Sequence, residues 1–164
     1  MVFVLSSAGI TSLILTIIIL IIFSWMDIST RRIPNKVILT AGIIGGLVIV
    51  MTGHFEANLL VHLVGMLFVI PLSVYLFQIG AIGGADAKTL WYIVIVSPGI
   101  EIGHCWNPIL EAIIAAGLQI IIMLALGHLY WIKYEKNSSK SQRPPLIPFL
   151  FMGYLVVQLL AIAC

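Results

Sequence analysis

The sequence predicts an all-α membrane protein with about six transmembrane helices and both termini outside. Of its 164 residues, 62% are hydrophobic and only 9% are charged, and the mean hydropathy is +1.20. Soluble domains carry roughly 25% charged residues. In water this chain would expose apolar surface that it has no means to cover, whereas lipid hydrocarbon solvates such side chains. We expect residues 1–164 to form a single polytopic domain without a separate soluble domain.

Composition also excludes several classes of function. The formal net charge is only +2, and no basic stripe interleaved with aromatic residues is present, so nucleic-acid binding is excluded. The only cysteines are Cys105 and Cys164, which rules out a disulfide framework and a paired-cysteine zinc site. No metal or organic cofactor is predicted.

Apolar runs separated by short polar breaks define the predicted spans. In chain order they cover residues 1–26, 37–52, 57–79, 89–96, 109–132 and 146–164. Pro71 predicts a kink in the third span. Gly42 and Gly46 form a small-xxx-small pair in the second span, which predicts close approach of a neighbouring helix.

The fourth span is short, because Ser97-Pro98-Gly99 ends the apolar run before the roughly 20 residues that a full crossing needs. Charge placement nevertheless favours a crossing. With six spans, all eight Lys and Arg residues lie on the inner side, including those of the 133–145 loop. We therefore expect a multi-pass protein of the plasma membrane with its basic residues in the cytoplasm.

The two Asp residues of the chain fall on that same inner face. Asp27 closes the first span and Asp86 opens the fourth. An ionisable group next to hydrocarbon is costly, so it is a functional candidate by default. Two neighbouring carboxylates share one proton, because like charges a few Å apart are not both ionised. One can then act as base and the other as acid on a water that attacks a peptide carbonyl.

Structural roles for both acids compete with this interpretation. Asp86 is also suited to capping the fourth helix through a free backbone N–H. Asp27 is also suited to pairing with Arg31 one helical turn on. The shared face and the unusual sequences around both acids favour the functional role.

Those surrounding sequences resemble the prepilin peptidase family, the membrane aspartic peptidases with a GxGD motif. In that family an Asp at the inner end of span one precedes Ile-Pro-Asn, as Asp27 precedes residues 33–35 here. The second family motif is Gly-x-Gly-Asp-x-Lys, which Gly83, Asp86 and Lys88 satisfy. Ala85 replaces the motif's second Gly, which puts in doubt any need for a positive φ there.

The resemblance implies a peptidase that cuts class III signal peptides of prepilins or archaeal preflagellins at the cytoplasmic face of the bilayer. Asp27 and Asp86 would be catalytic. Gly83, Gly84, Lys88, Pro34 and Asn35 would support them, with the glycines allowing close approach to Asp86. Many bacterial members carry an inner domain with paired cysteines that is linked to N-methylation. Residues 27–36 contain no Cys, so no methyltransferase activity is expected.

Two other functions remain open from the sequence. A small proton-coupled transporter or channel subunit would use the two Asp as a relay, although that prefers acids near the bilayer midplane. A presenilin-like peptidase shares a GxGD Asp but cuts within the membrane span of its substrate. The Ile-Pro-Asn segment and the low span count argue against the latter. His62 and His128 are assigned to packing between helices.

Overall fold

The computed structural model describes residues 6–101, 107–135 and 144–160, which form seven α-helices, one π-helical turn and no strand. The all-α prediction is confirmed for this part of the chain. In order, the elements are α1 Ser7–Thr30, α2 Asn35–Met51, α3 His54–Ala57, α4 Leu59–Gln78, α5 Gly84–Val96, α6 Pro108–Tyr130, the π-helical turn Trp131–Glu135 and α7 Ile147–Leu160.

Three of the described helices are long and apolar enough to cross a membrane. They are α1, α4 and α6, the last counted to Lys133 with its π-helical turn. Helices α2 and α7 are apolar but shorter, and α5 has only 13 residues. Six spans and the placement of both termini remain predictions, and residues 1–5 and 161–164 lie outside the described chain.

Several predicted boundaries were wrong. Helix α1 continues to Thr30, so Asp27 lies in its last turn and does not end it. The predicted loop at 53–56 contains the short helix α3. Helix α5 begins at Gly84, five residues before the predicted start of the fourth span, since residues 84–88 are also helical. Helix α4 runs through Pro71 as one element, and the kink expected there stays a prediction.

Six of the helices pack as a ring of neighbours. Helix α1 contacts α2 and α7, α7 packs on α6, α6 on α4, α4 on α5, and α5 on α2, which closes the ring. Helix α5 also contacts α1 and is the most buried of these helices. Eight of its 13 residues are buried, against six of 24 in α1. The neighbours of α5 therefore cover it more completely than any other helix of the ring is covered.

The end of α5 explains why its apolar run is short. After Val96 the chain leaves the helix, yet residues 97–101 are all buried. Non-helical backbone at membrane depth is tolerated only where protein groups satisfy its N–H and C=O. Three buried side chains from other helices do this. Ser12 of α1 donates to the Val96 carbonyl at 2.6 Å and Glu111 of α6 accepts from the Ile100 N–H at 3.0 Å.

The third of these side chains is Gln158 of α7, which binds the same segment twice. Its Oε1 accepts from the Glu101 N–H at 2.9 Å, and its Nε2 donates to the Gly99 carbonyl at 3.0 Å. The Glu101 carboxylate lies 3.3 Å from His54 Nε2. This polar cluster fixes the end of the bundle that lies opposite Asp27 and Asp86.

The close approach of α2 to α5 occurs at Gly45 and not at the predicted pair. A Cβ at Gly45 would lie 2.7 Å from Val96 Cγ2 and 3.2 Å from the Tyr92 ring. At Gly42 and at Gly46 a Cβ would meet no atom within 4 Å. The sequence therefore identified the correct helix, but the wrong glycines on it.

We expect Gly45→Ala to lower the free energy of unfolding by about 1–3 kcal/mol, because the added methyl group overpacks the contact with Val96. Gly46→Ala is the matched control. It adds the same methyl group to the same helix in open space, so it should be neutral or stabilise by up to about 1 kcal/mol. Reversible unfolding in mixed micelles measures both values, and equal values for the two variants would contradict the packing described at Gly45.

Candidate active site

Asp86 lies in the first turn of α5 and is held by the backbone that precedes the helix. Its Oδ2 accepts a hydrogen bond from the Gly83 N–H at 2.8 Å, and the residue is only 8% exposed. Gly83 occupies the N-cap position with extended backbone, so Asp86 is the third helical residue and not the cap itself. The carboxylate satisfies one of the orphan N–H groups of the helix start.

The Asp86 carboxylate can approach Gly83 closely only because Gly83 has no side chain. A Cβ at Gly83 would lie 2.9 Å from Asp86 Oδ2, closer than real Cβ contacts come. A Cβ at Gly84 would meet only the Phe77 ring, at an ordinary 3.6 Å. The two glycines are thus not equivalent, and Gly83 is the one that Asp86 requires.

Asp27 is half-buried in the last turn of α1 and binds the start of another helix. Its Oδ2 accepts a hydrogen bond from the Ile147 N–H at 3.3 Å, at the first residue of α7. Arg31 ends α1 with left-handed backbone, and its N–H donates to the Asp27 carbonyl. The positive charge of Arg31 also acts on the Asp27 carboxylate.

The start of α7 connects the two acids. Residue 147 binds Asp27, while Pro144 and Leu146 line an open pocket together with Asp86. Leu146 reaches this place because it packs on α6 at Gly127, where any Cβ would collide with it. Two acids that are far apart in sequence therefore lie at the same end of the bundle, and both adjoin one short segment, residues 144–147.

The pocket at Asp86 has a volume of about 390 Å³. The end of α6 and its π-helical turn supply most of its wall, with the remainder from Gly80 and Ala81 between α4 and α5, and from Pro144 and Leu146 before α7. The wall residues from α6 and its π-helical turn are Leu124, Gly127, His128 and Trp131. The His128 ring stacks on Trp131 with centroids 6.2 Å apart. The pocket therefore presents a buried carboxylate beside an aromatic surface.

The sequence did not predict that α6 and its π-helical turn form a wall of the Asp86 pocket. His128 had been assigned to helix packing, but it is exposed and borders the Asp86 pocket. The Pro144-Pro145 pair before α7 signals a helix start, but no local pattern reveals which residue faces that start. Only tertiary packing places residue 147 beside Asp27.

A direct contact links the two motifs that flank the acids. The Lys88 ammonium donates to Asn35 Oδ1 at 2.7 Å, which joins the first residue of α2 to the second turn of α5. Pro34 is the N-cap of α2 and Asn35 is its first residue, so the helix begins two residues before the predicted second span. Asn35 thus binds Lys88, a contact that the sequence did not reveal.

The basic residues of the described chain cluster at the same end as the acids. Arg31 and Arg32 follow α1, Lys36 lies in the first turn of α2, Lys88 lies near the start of α5, and Lys133 lies in the π-helical turn after α6. The other three basic residues, together with His104 and both cysteines, fall outside the described chain. Among the residues that are described, no group of three or more His, Cys, Asp or Glu is placed to hold a metal ion.

This geometry can be compared with known proteins. A model of the type IV leader peptidase family matches residues 14–162. The chain belongs to this family. The match includes both acids, the Asn35–Lys88 contact and the start of α7, so all parts of the site lie within the type IV leader peptidase region. The expected resemblance to prepilin peptidases is thereby confirmed. No curated protein and no solved structure gave a match to the chain.

Membership of the type IV leader peptidase family makes the chain a peptidase, and its three long apolar helices indicate a membrane protein. The departure at Ala85 has a simple structural account. Ala85 is the second residue of α5, and the only non-Gly residue with positive φ in the described chain is Arg31. A left-handed backbone is therefore not needed at Ala85, and Ala is a good helix former.

We expect Asn35 and Lys88 to be energetically coupled. In a double-mutant cycle with Asn35→Ala and Lys88→Ala, the combined loss of stability should be smaller than the sum of the single losses by about 1 kcal/mol. The reason is that either single substitution already removes the bond. Unfolding in mixed micelles gives all three values, and strictly additive losses would show that the contact adds nothing to stability.

Proposed function

We propose that this protein is a membrane aspartic endopeptidase that cleaves class III signal peptides, of prepilin or preflagellin type, at the cytoplasmic face of the membrane. The observation that supports the proposal most is that the 144–147 segment binds Asp27 through the Ile147 N–H and lines the same pocket as Asp86. Family membership supplies the reaction class, because it favours peptide hydrolysis over a proton relay.

The chemistry follows from two carboxyl groups that share one proton. The ionised carboxylate removes a proton from a water molecule as the water oxygen attacks the scissile carbonyl carbon. The protonated carboxyl donates a hydrogen bond to the carbonyl oxygen, which becomes negatively charged. As the C–N bond breaks, the amine nitrogen receives a proton from the carboxyl that took it from water. These reaction steps require neither a covalent enzyme intermediate nor a bound metal.

The backbone hydrogen bonds prepare each acid for that role. Each carboxylate is held through its Oδ2 by one N–H group, that of Ile147 for Asp27 and that of Gly83 for Asp86. A carboxylate has roughly four acceptor positions, and a backbone N–H bound at one of them orients the group. Orientation of this kind is what a reaction between two side chains and one water needs.

The charge distribution supports a cytoplasmic site. Lys and Arg are enriched on the cytoplasmic side of membrane proteins, and the described basic residues share the end of the bundle that holds the acids. A precursor whose basic leader stays in the cytoplasm and whose apolar helix enters the bilayer would present its cleavage site at this level. The pocket beside Asp86, with Trp131 and His128 in its wall, is the proposed place for the peptide.

Methyltransferase activity is not part of the proposal. Only residues 31–34 separate α1 from α2, so the connection has no room for an inserted domain. The new N-terminus of the cleaved substrate should therefore keep an unmodified amine when the methyl donor S-adenosylmethionine is present, as read by the mass of the product.

We expect Asp27→Asn and Asp86→Asn each to lower the rate of precursor cleavage by about 10²- to 10⁴-fold, the usual contribution of an acid–base group. Asparagine keeps an oxygen that can accept the Gly83 or Ile147 N–H, so both variants should fold. The assay uses purified protein in proteoliposomes, a precursor peptide with a basic leader and an apolar helix, and sequencing of the product.

Glu56→Gln is the control, because Glu56 is an exposed acid at the opposite end of the bundle. It should cleave at the wild-type rate. Wild-type cleavage by either folded Asp variant would disprove the dyad. Proton flux through liposomes that contain the wild-type protein, without any cleavage, would instead identify a relay.

A second prediction separates the two glycines of the motif. Gly83→Ala should lower kcat by about 10- to 100-fold, because its methyl group displaces the Asp86 carboxylate and small misplacements are costly in catalysis. Gly84→Ala should stay within a few-fold of wild type. Both rates come from the same cleavage assay. Equal losses in the two variants would show that the Gly83–Asp86 contact is not what the reaction needs.

A further inference from the structure

An apolar groove runs between α2 and α5 on the face of α5 that the Asp86 pocket does not use. Its volume is about 580 Å³. Ile38, Leu39 and Ile43 line it from α2, and Trp91, Tyr92 and Ile95 line it from α5. The two helices are parallel, since Asn35 meets Lys88 at one end and Gly45 meets Val96 further along. The contact at Gly45 lies just beyond the α2 residues that line the groove.

The open end of this groove is basic. Asn35, Lys36 and Lys88 line it there, and none of the described residues that line the groove is acidic. Lys36 is exposed. The Lys88 ammonium has three N–H donors, of which Asn35 accepts one. A groove that is apolar along its length and cationic at its mouth matches a molecule with an apolar tail and an anionic head.

We propose that this groove binds an anionic phospholipid, with the phosphate at Lys36 and Lys88 and one acyl chain along α2 and α5. The inference rests on the membrane placement given under the proposed function. Residues 35–43 of α2 cover about 12 Å along the helix axis, so the groove holds the part of an acyl chain nearest the headgroup. A basic site at the cytoplasmic face is also where anionic lipid headgroups lie.

The positive charge at the mouth of the groove disfavours two other occupants, the leader of the substrate and a second copy of the chain. The leader of the proposed substrate is basic, so Lys36 and Lys88 would repel it. A second copy of the chain would bring the same two lysines to the contact. An anionic lipid is attracted by each lysine, by an amount that corresponds to about fivefold in affinity per charge near a membrane surface.

Gly42 offers a direct way to block the groove. It lies in the wall, and a Cβ there would meet no atom within 4 Å. Gly42→Trp should therefore fill the groove without disturbing the helix contact. Gly46→Trp is the matched control, because Gly46 is on the same helix, has the same open space and does not line the groove.

The experiment measures lipid retained by the purified full chain in detergent, by native mass spectrometry. The added lipids are phosphatidylglycerol and phosphatidylcholine with the same acyl chains, and glycerol phosphate serves as a headgroup without a tail. Wild type should retain phosphatidylglycerol in preference to phosphatidylcholine, and should not retain glycerol phosphate. Lys36→Ala should lower the preference about fivefold. Gly42→Trp should abolish retention, and Gly46→Trp should leave it unchanged.

Equal retention of the two lipids by wild type, or equal behaviour of Gly42→Trp and Gly46→Trp, would overturn the proposal. If Gly42→Trp fails to fold, Lys36→Ala decides alone, because its exposed side chain has no part in the core. Retention of glycerol phosphate alone would indicate a simple anion site and overturn the lipid assignment. Displacement of lipid by the precursor peptide would assign the groove to the substrate and also overturn it.

Failure of this inference is distinct from failure of the proposed function. Asp27→Asn and Asp86→Asn should retain phosphatidylglycerol as wild type does, since neither residue lines the groove. Cleavage without lipid preference would remove only the lipid site. Lipid preference without cleavage would leave the groove assigned and remove the peptidase proposal.

Discussion

The structure depends on one helix that is buried and short, α5. Helix α5 has 13 residues, which span about 20 Å, less than the roughly 30 Å of hydrocarbon in a bilayer. A helix that ends inside a bundle exposes backbone N–H and C=O groups away from water, so other parts of the chain must satisfy them. At the end near Val96, side chains of α1, α6 and α7 do so.

At the other end of α5 the same requirement is met by a candidate catalytic group. The Asp86 carboxylate accepts the N–H of Gly83, so the bond that completes the start of the helix also orients the acid. Capping and catalysis appeared as competing roles for Asp86 in the sequence. In the structure the cap contact and the proposed chemistry use the same residue without conflict, because one carboxylate has capacity for both.

Much of the fold and part of the site were predictable from local sequence. Composition predicted the all-α membrane class, and the two Asp motifs predicted the peptidase family, because the residues around each Asp match the family's motifs. The start of α2 was predicted to within two residues, because helix starts are encoded locally and Pro34 stands at this one. The glycine at which α2 approaches α5 was predicted wrongly. Spacing alone does not distinguish Gly45 from Gly42 and Gly46 when the facing helix is unknown.

The rest of the site arises from contacts between distant residues. The backbone N–H of residue 147 has no signature in the sequence, and its bond to Asp27 joins positions that are 120 residues apart. The Asn35–Lys88 bond joins positions that are 53 residues apart, and it likewise has no signature in the sequence. His128 and Trp131 reach the Asp86 pocket only because α6 packs against α7 and α4.

The central claim is that Asp27 and Asp86 act on one water as a pair. Thiol cross-linking in membranes tests it most directly, with Asp27→Cys and Asp86→Cys combined in a chain whose Cys105 and Cys164 are replaced by Ser. The pair should be joined by the shortest bifunctional reagents, more efficiently when precursor peptide is bound. A control pair, Ser12→Cys with Asp86→Cys, spans the two ends of the bundle and should not react. Cross-linking of the Asp27 and Asp86 positions no better than this control would contradict the account.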